Sequence, residues 1–138
     1  MQNNSAALAQ TTKRRTEPKS YNGTTRLIIQ GETSMNIIIV STTFTKKEDA
    51  ERIAGLLLDR KLIACAQISG PITSIYRWQE KVTSATEYTL SLKTTQHLFQ
   101  TVQETLIQEH PYELPEILGQ EIHHVSRAYH DWVCGEVK

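Results

Sequence analysis

The order of hydrophobic periodicities along the chain limits its fold more than any other feature. From Asn36 the residues read Asn-Ile-Ile-Ile-Val-Ser-Thr-Thr, a β-branched run suited to a strand buried on both faces. Thr45-Lys46-Lys47-Glu48 follows as a capping box, with the Thr45 hydroxyl expected to accept from the Glu48 amide. Ala50, Ile53, Ala54 and Leu57 then recur at helical spacing, and Leu58 widens the stripe. Leu62 to Tyr76 is extended again, interrupted by Ser69-Gly70-Pro71, where glycine permits a bulge and proline removes a ladder donor. Trp78 to Val82 reads as a hairpin connection. Glu87 to Thr94 alternates Tyr88, Leu90 and Leu92 against Glu87, Thr89, Ser91 and Lys93, as a two-faced strand does. A second helical stripe, Leu98, Phe99, Val102 and Leu106, ends near His110, because Pro111 disfavours helical geometry in the residue before it. Ile117 to Ile122 is a short fourth strand, and Ser126 caps a last helix with Tyr129, Trp132 and Val133 on one face.

The order β-α-β-β-α-β-α specifies an α+β fold, the ferredoxin-like split β-α-β sandwich, with an antiparallel sheet and helices on one of its faces. This domain takes residues 35–138, and a chain of 138 residues has room for one such core. The sheet's other face needs a cover, which predicts self-association. Residues 1–34 are rich in Gln, Asn, Ser and Thr, with Leu8 and Leu27-Ile28-Ile29 as the large aliphatics, and are expected to be a disordered N-terminal extension.

Charge and cysteine content narrow the partners. The extension carries Lys13, Arg14, Arg15, Lys19 and Arg26 against Glu17 and Glu32, a balance of +3, so in a chain of net charge zero the domain carries −3. No basic cluster follows Arg26, which argues against nucleic acid. No apolar run approaches the roughly eighteen residues that span a bilayer, so no membrane partner is expected. Cys65 and Cys134 lack the spacing of a disulfide framework or a zinc site, and a reducing cytoplasm suits them.

The chain offers binding chemistry more readily than catalysis. His110, Tyr112, Glu113 and Glu116 lie where a helix must stop, so imidazole, phenol and carboxylates can converge on one proline-bracketed loop. The competing reading is a rigid turn that only aims the chain into the last strand. Tyr76 and Trp78 flank Arg77 beside the hairpin and suit either a pocket or plain packing. Lys93 can pair with Glu87, take an incoming anion, or lie solvated. Cys65 sits in an apolar strand with no base beside it, where an inert buried thiol is expected. Neither a nucleophile with a partnered base nor a phosphate-cradling glycine loop is present, so no catalytic residue is assigned.

Taken together and in order, these residues resemble the CutA family of divalent-cation tolerance proteins. The likeness runs from Asn36 to Trp132, through Ser41-Thr42-Thr43, Leu62-Ile63-Ala64-Cys65, Tyr76-Arg77-Trp78 with Lys81, Glu87, Leu92-Lys93-Thr94-Thr95 and His110-Pro111-Tyr112-Glu113-Leu114-Pro115-Glu116. It implies a ferredoxin-like subunit in a homotrimer, and a non-enzymatic role in the response to copper or another divalent cation. The implied ligand, a metal ion or small molecule, binds at clefts between subunits, with Tyr76, Trp78, Glu87, Lys93, Tyr112 and Glu113 as cleft candidates. His110 and Glu109 are the implied metal donors. Some members have a cysteine ending the first strand and two consecutive histidines before Pro-Tyr, where this chain has Ser41 and Glu109-His110. A hydroxyl and a carboxylate suit harder ions than copper. The alternative is a structural trimer that serves as a protein-docking platform without a ligand.

Overall fold

A computed structural model describes residues 35–138 of the chain; the expected N-terminal extension, residues 1–34, lies outside the described residues. The elements are β1 (Ile37–Phe44), α1 (Lys47–Asp59), β2 (Cys65–Trp78), β3 (Lys81–Thr95), a 3-10 turn (Gln96–Leu98), α2 (Phe99–Glu109), β4 (Leu118–Glu121) and α3 (Arg127–Glu136). The strands form one antiparallel sheet in the order β2-β3-β1-β4, so β3 separates β1 from β2 as a split β-α-β unit requires.

One face of this sheet holds the core. Val40, Thr42 and Phe44 of β1 share that face with their partners Leu92, Leu90 and Tyr88 of β3. Ile53 and Leu57 of α1 and Val102 and Leu106 of α2 pack against it as one cluster, all fully buried. The opposite face of β1 is covered less: Ile39, Ser41 and Thr43 are half-buried, which corrects the expectation of a strand enclosed on both sides. Helices α1 and α2 seal the core face. Helix α3 stands outside that cluster with Tyr129 beside Cys65, whose register with Lys93 and Ile39 puts it on the opposite face. This corrects the expectation of helices on one face alone.

Local signals and tertiary contacts disagree at four places. The capping box does not form: the N-cap of α1 is Lys46, without a side-chain cap bond, because the Thr45 hydroxyl bonds the Tyr112 hydroxyl at 2.7 Å instead. Strand β3 begins at Lys81, well before Glu87, and pairs with β2 back to Trp78↔Lys81. Its first residues carry one large aliphatic, Val82, which is exposed, so alternation is silent there and pairing alone makes the strand. Gln79 and Glu80 close the hairpin with φ of 47° and 65°, the left-handed pair that a two-residue turn between twisted strands demands. On α3, Val133 is fully buried, but Tyr129 and Trp132 lie against each other with ring centroids 5.6 Å apart and a tilt of 39°, and stay 38% and 45% exposed. Cys65, expected to be enclosed, is half-buried on the edge strand β2.

The hairpin outruns the rest of the sheet, and this positions the site. The last pair of β1 is Phe44↔Tyr88, so residues 81–87 are held by β2 alone. At the base of this arm the register shifts between Ser69 and Ile72. Gly70 sits there at φ +144°, and a Cβ would fall 2.9 Å from the Tyr88 ring and 3.0 Å from the Glu87 carbonyl. Glycine therefore lets β2 close onto Glu87. No helix among the described residues is long and apolar enough to cross a membrane.

Candidate ligand cleft

A cleft of about 530 Å³ opens where the hairpin arm leaves the sheet. Ser74, Tyr76 and Trp78 line it from alternate positions of β2, Glu87 from β3, and Tyr112 and Glu116 from the segment after α2. The period of two on β2 turns all three of its side chains to one side of the arm. Pro111 and Pro115 stiffen the facing segment. Glu87 is nearly enclosed, and its Oε2 accepts a hydrogen bond of 2.8 Å from the Tyr112 hydroxyl.

The phenols facing this carboxylate hold their protons tightly. Burial, followed by the Glu87 charge, raises the Tyr76 pKa above its ordinary 10.0. Tyr112 is pushed up much further: burial leads, the bond and charge of Glu87 add to it, and the bond to Thr45 opposes it only in part. A group with a raised folded-state pKa supports the fold below its unfolded pKa and withdraws that support as pH climbs toward the folded value. Stability therefore falls as pH rises above about 10, and Tyr112→Phe flattens that alkaline limb in urea unfolding measured at a series of pH values. An unchanged limb in the variant disproves the assignment.

His110 lies beside the cleft but is enclosed, 1% exposed. Its Nδ1 accepts the Tyr112 backbone N–H at 3.1 Å, so the proton sits on Nε2. Nε2 lies 3.0 Å from both the Thr43 carbonyl and the Thr42 hydroxyl. The ring stacks on Phe44 at 4.3 Å and 12°. Glu109 is turned to the surface, where its carboxylate meets Arg52 at 3.3 Å and its carbonyl accepts from the same guanidinium at 3.0 Å. The expected metal donors thus point to different partners, and the imidazole has no lone pair left over for an ion. Ser41 lies on the half-covered sheet face, paired with Ser91 and Leu118. No group of three His, Cys, Asp or Glu among the described residues is placed to hold a metal ion. Within one subunit these donors do not fit a copper site.

Comparison with known proteins agrees with the fold and the residue order. Residues 38–136 match the family described as CutA1 divalent ion tolerance protein. The chain belongs to the CutA1 family. It is 48% identical over 94 residues to a cutA homolog of Encephalitozoon cuniculi, covering 68% of this chain and 82% of that one. The solved structure of the divalent cation tolerance protein of Thermus thermophilus superposes with a TM-score of 0.72 at 37% identity, covering 74% and 99% of the two chains. CutA1 from Oryza sativa gives 0.74 at 31% identity, covering 78% and 98%.

Against this CutA1 frame the expected cleft residues divide into two groups. Tyr76, Trp78, Glu87 and Tyr112 come together in the cleft. Lys93 does not join them: it lies further along β3, opposite Ile39 and Cys65, and its ammonium is hydrogen-bonded to Gln67. Glu113 is exposed and does not line the cleft, whereas Glu116, three residues on, contributes to it. Ser74 and Thr43 also line the cleft without having been singled out. Ser74 carried a usable signal, since it precedes Tyr76 by two on the same strand; Thr43 carried none.

Proposed function

We propose that this CutA1 protein is a non-enzymatic, cytoplasmic homotrimer that binds a small ligand at the Glu87–Tyr112 cleft in the response to divalent metal. The observation that carries the reading is the convergence of Tyr76, Trp78, Glu87 and Tyr112, from three separate chain segments, on one concave site. A turn that merely aimed the chain would not require a nearly enclosed carboxylate and phenol at its centre. Assembly is supported by large aliphatics left in water on a single subunit: Ile75 is 72% exposed, Val82 68% and Leu114 67%, all on the arm or the loop facing it. A second and third copy can cover them and deepen the cleft.

A divalent ion held by His110 and Glu109 needs those groups to leave Tyr112, Thr43 and Arg52, so the cleft carries the proposal. Light scattering with size-exclusion chromatography tests the trimer, and a monomer mass refutes it. A thermal-shift screen across divalent metals and metabolites tests the ligand. A true ligand at a hundredfold excess over Kd adds about 2.7 kcal/mol of stability in the parent and little in Glu87→Gln. A flat response to every compound favours the docking platform instead.

A further inference from the structure

The cleft has a chemical bias that selects its ligand. Its lining includes Glu87, Glu116 and the rings of Tyr76, Trp78 and Tyr112, but no lysine, arginine or histidine. Glu87 is 8% exposed and forms no ion pair among the described residues. Tyr112 gives one oxygen of the carboxylate a neutral donor, and the other oxygen has no donor among the described residues. That second oxygen is not sealed from solvent, so a largely enclosed carboxylate without a countercharge is left open to an entering cation.

We propose that the cleft binds a small organic ammonium compound, its cationic head seated against Glu87 and flanked by the rings of Tyr76 and Trp78. This rests on the cleft being the ligand site. The surroundings suit an organic cation better than a metal ion. Magnesium and calcium ask for six or more oxygen ligands with carboxylates foremost, while the lining offers two carboxylates, of which Glu116 is exposed, and otherwise neutral hydroxyls. A weakly hydrated alkylammonium instead gains from aromatic faces that a hydrated metal ion cannot exploit. The indole N–H of Trp78 is buried without an acceptor among the described residues, so an oxygen on the ligand would complete its bonding. The tightly held Tyr112 proton stays on the phenol and keeps one carboxylate oxygen engaged, which leaves the other for the ammonium.

The test is isothermal titration of the full chain with three probes of matched size, n-butylammonium, 1-butanol and butyrate, with the Trp78 indole NMR signal reporting the site. Butylammonium binds and shifts that signal, whereas butyrate does neither. Glu87→Gln, which is isosteric and still accepts from Tyr112, weakens butylammonium by about tenfold or more, the worth of one charge-assisted hydrogen bond. Tyr76→Leu, a half-buried position whose loss leaves the core intact, also weakens it and decides the matter if the Gln variant does not fold. Butyrate binding as well as butylammonium, or unchanged affinity in Glu87→Gln and Tyr76→Leu, overturns the cation assignment and leaves the cleft a ligand site. Silence of the indole signal to all three probes and to a broad metabolite screen overturns the cleft reading itself.

Discussion

Replacing Phe44 by alanine lowers the unfolding free energy by about 4 kcal/mol. Phe44 ends β1, is fully buried, and stands at the junction of two structures. On one side it belongs to the apolar cluster formed by α1, α2 and the sheet. On the other its ring stacks on His110, which carries the loop leading to Tyr112. Truncation removes the transfer free energy of the ring and leaves a void that close-packed neighbours fill only in part. A loss of that size is a large share of the roughly 5–15 kcal/mol that holds a domain of this kind together. Urea unfolding at fixed protein concentration measures it. A loss below about 1.5 kcal/mol means that the ring is not a packing centre of the domain. Phe44→Leu, which keeps most of the volume, is expected to lose less than half as much as the alanine variant.

His110→Ala is the second large effect, about 3 kcal/mol, and it bears directly on metal binding. The substitution takes the acceptor from the Tyr112 backbone N–H and a donor from the Thr43 carbonyl, and it removes the stack on Phe44. Buried polar groups left without partners cost more than the net worth of the bonds they lose. A structural histidine predicts the same loss in EDTA as with added copper or zinc. A metal ligand predicts a loss confined to the metal-loaded protein. Unfolding curves of parent and variant under both conditions separate the two, and dependence on metal sinks the structural assignment. The same variant also loosens Tyr112, so butylammonium binding weakens although His110 is not a lining residue.

Several features of the chain were readable before any fold existed. The β-branched run of β1, the stripes of α1 and α2, and the halt imposed by Pro111 are local or periodic properties, and each appears where the residues place it. Their order, with one helix inserted between each outer pair of strands, allows few sheet topologies and leads to β2-β3-β1-β4. The residues themselves marked Tyr76 and Trp78 beside the hairpin and Tyr112 after the proline stop, but only the resemblance to CutA grouped them with Glu87 in one cleft.

What tertiary structure alone decided is which partner won each competition. Thr45 had a helix amide within local reach, yet it bonds Tyr112, 67 positions away, because the loop after α2 is pinned against the end of β1. Glu109 and His110 are neighbours in the chain and look like a donor pair. The end of α2 sends one to Arg52 on the surface and the other into the interior. Lys93 and Glu87 share a strand parity, but Gln67 on the adjacent strand takes the ammonium. Lys81 to Thr86 carry too little apolar alternation to announce a strand, and they become one through backbone bonds to β2. The physical reason is common to all four. Periodicity and backbone restriction act between near neighbours and can be read along the chain, whereas hydrogen bonds and charge pairs form with whatever the folded topology brings within about 3 Å.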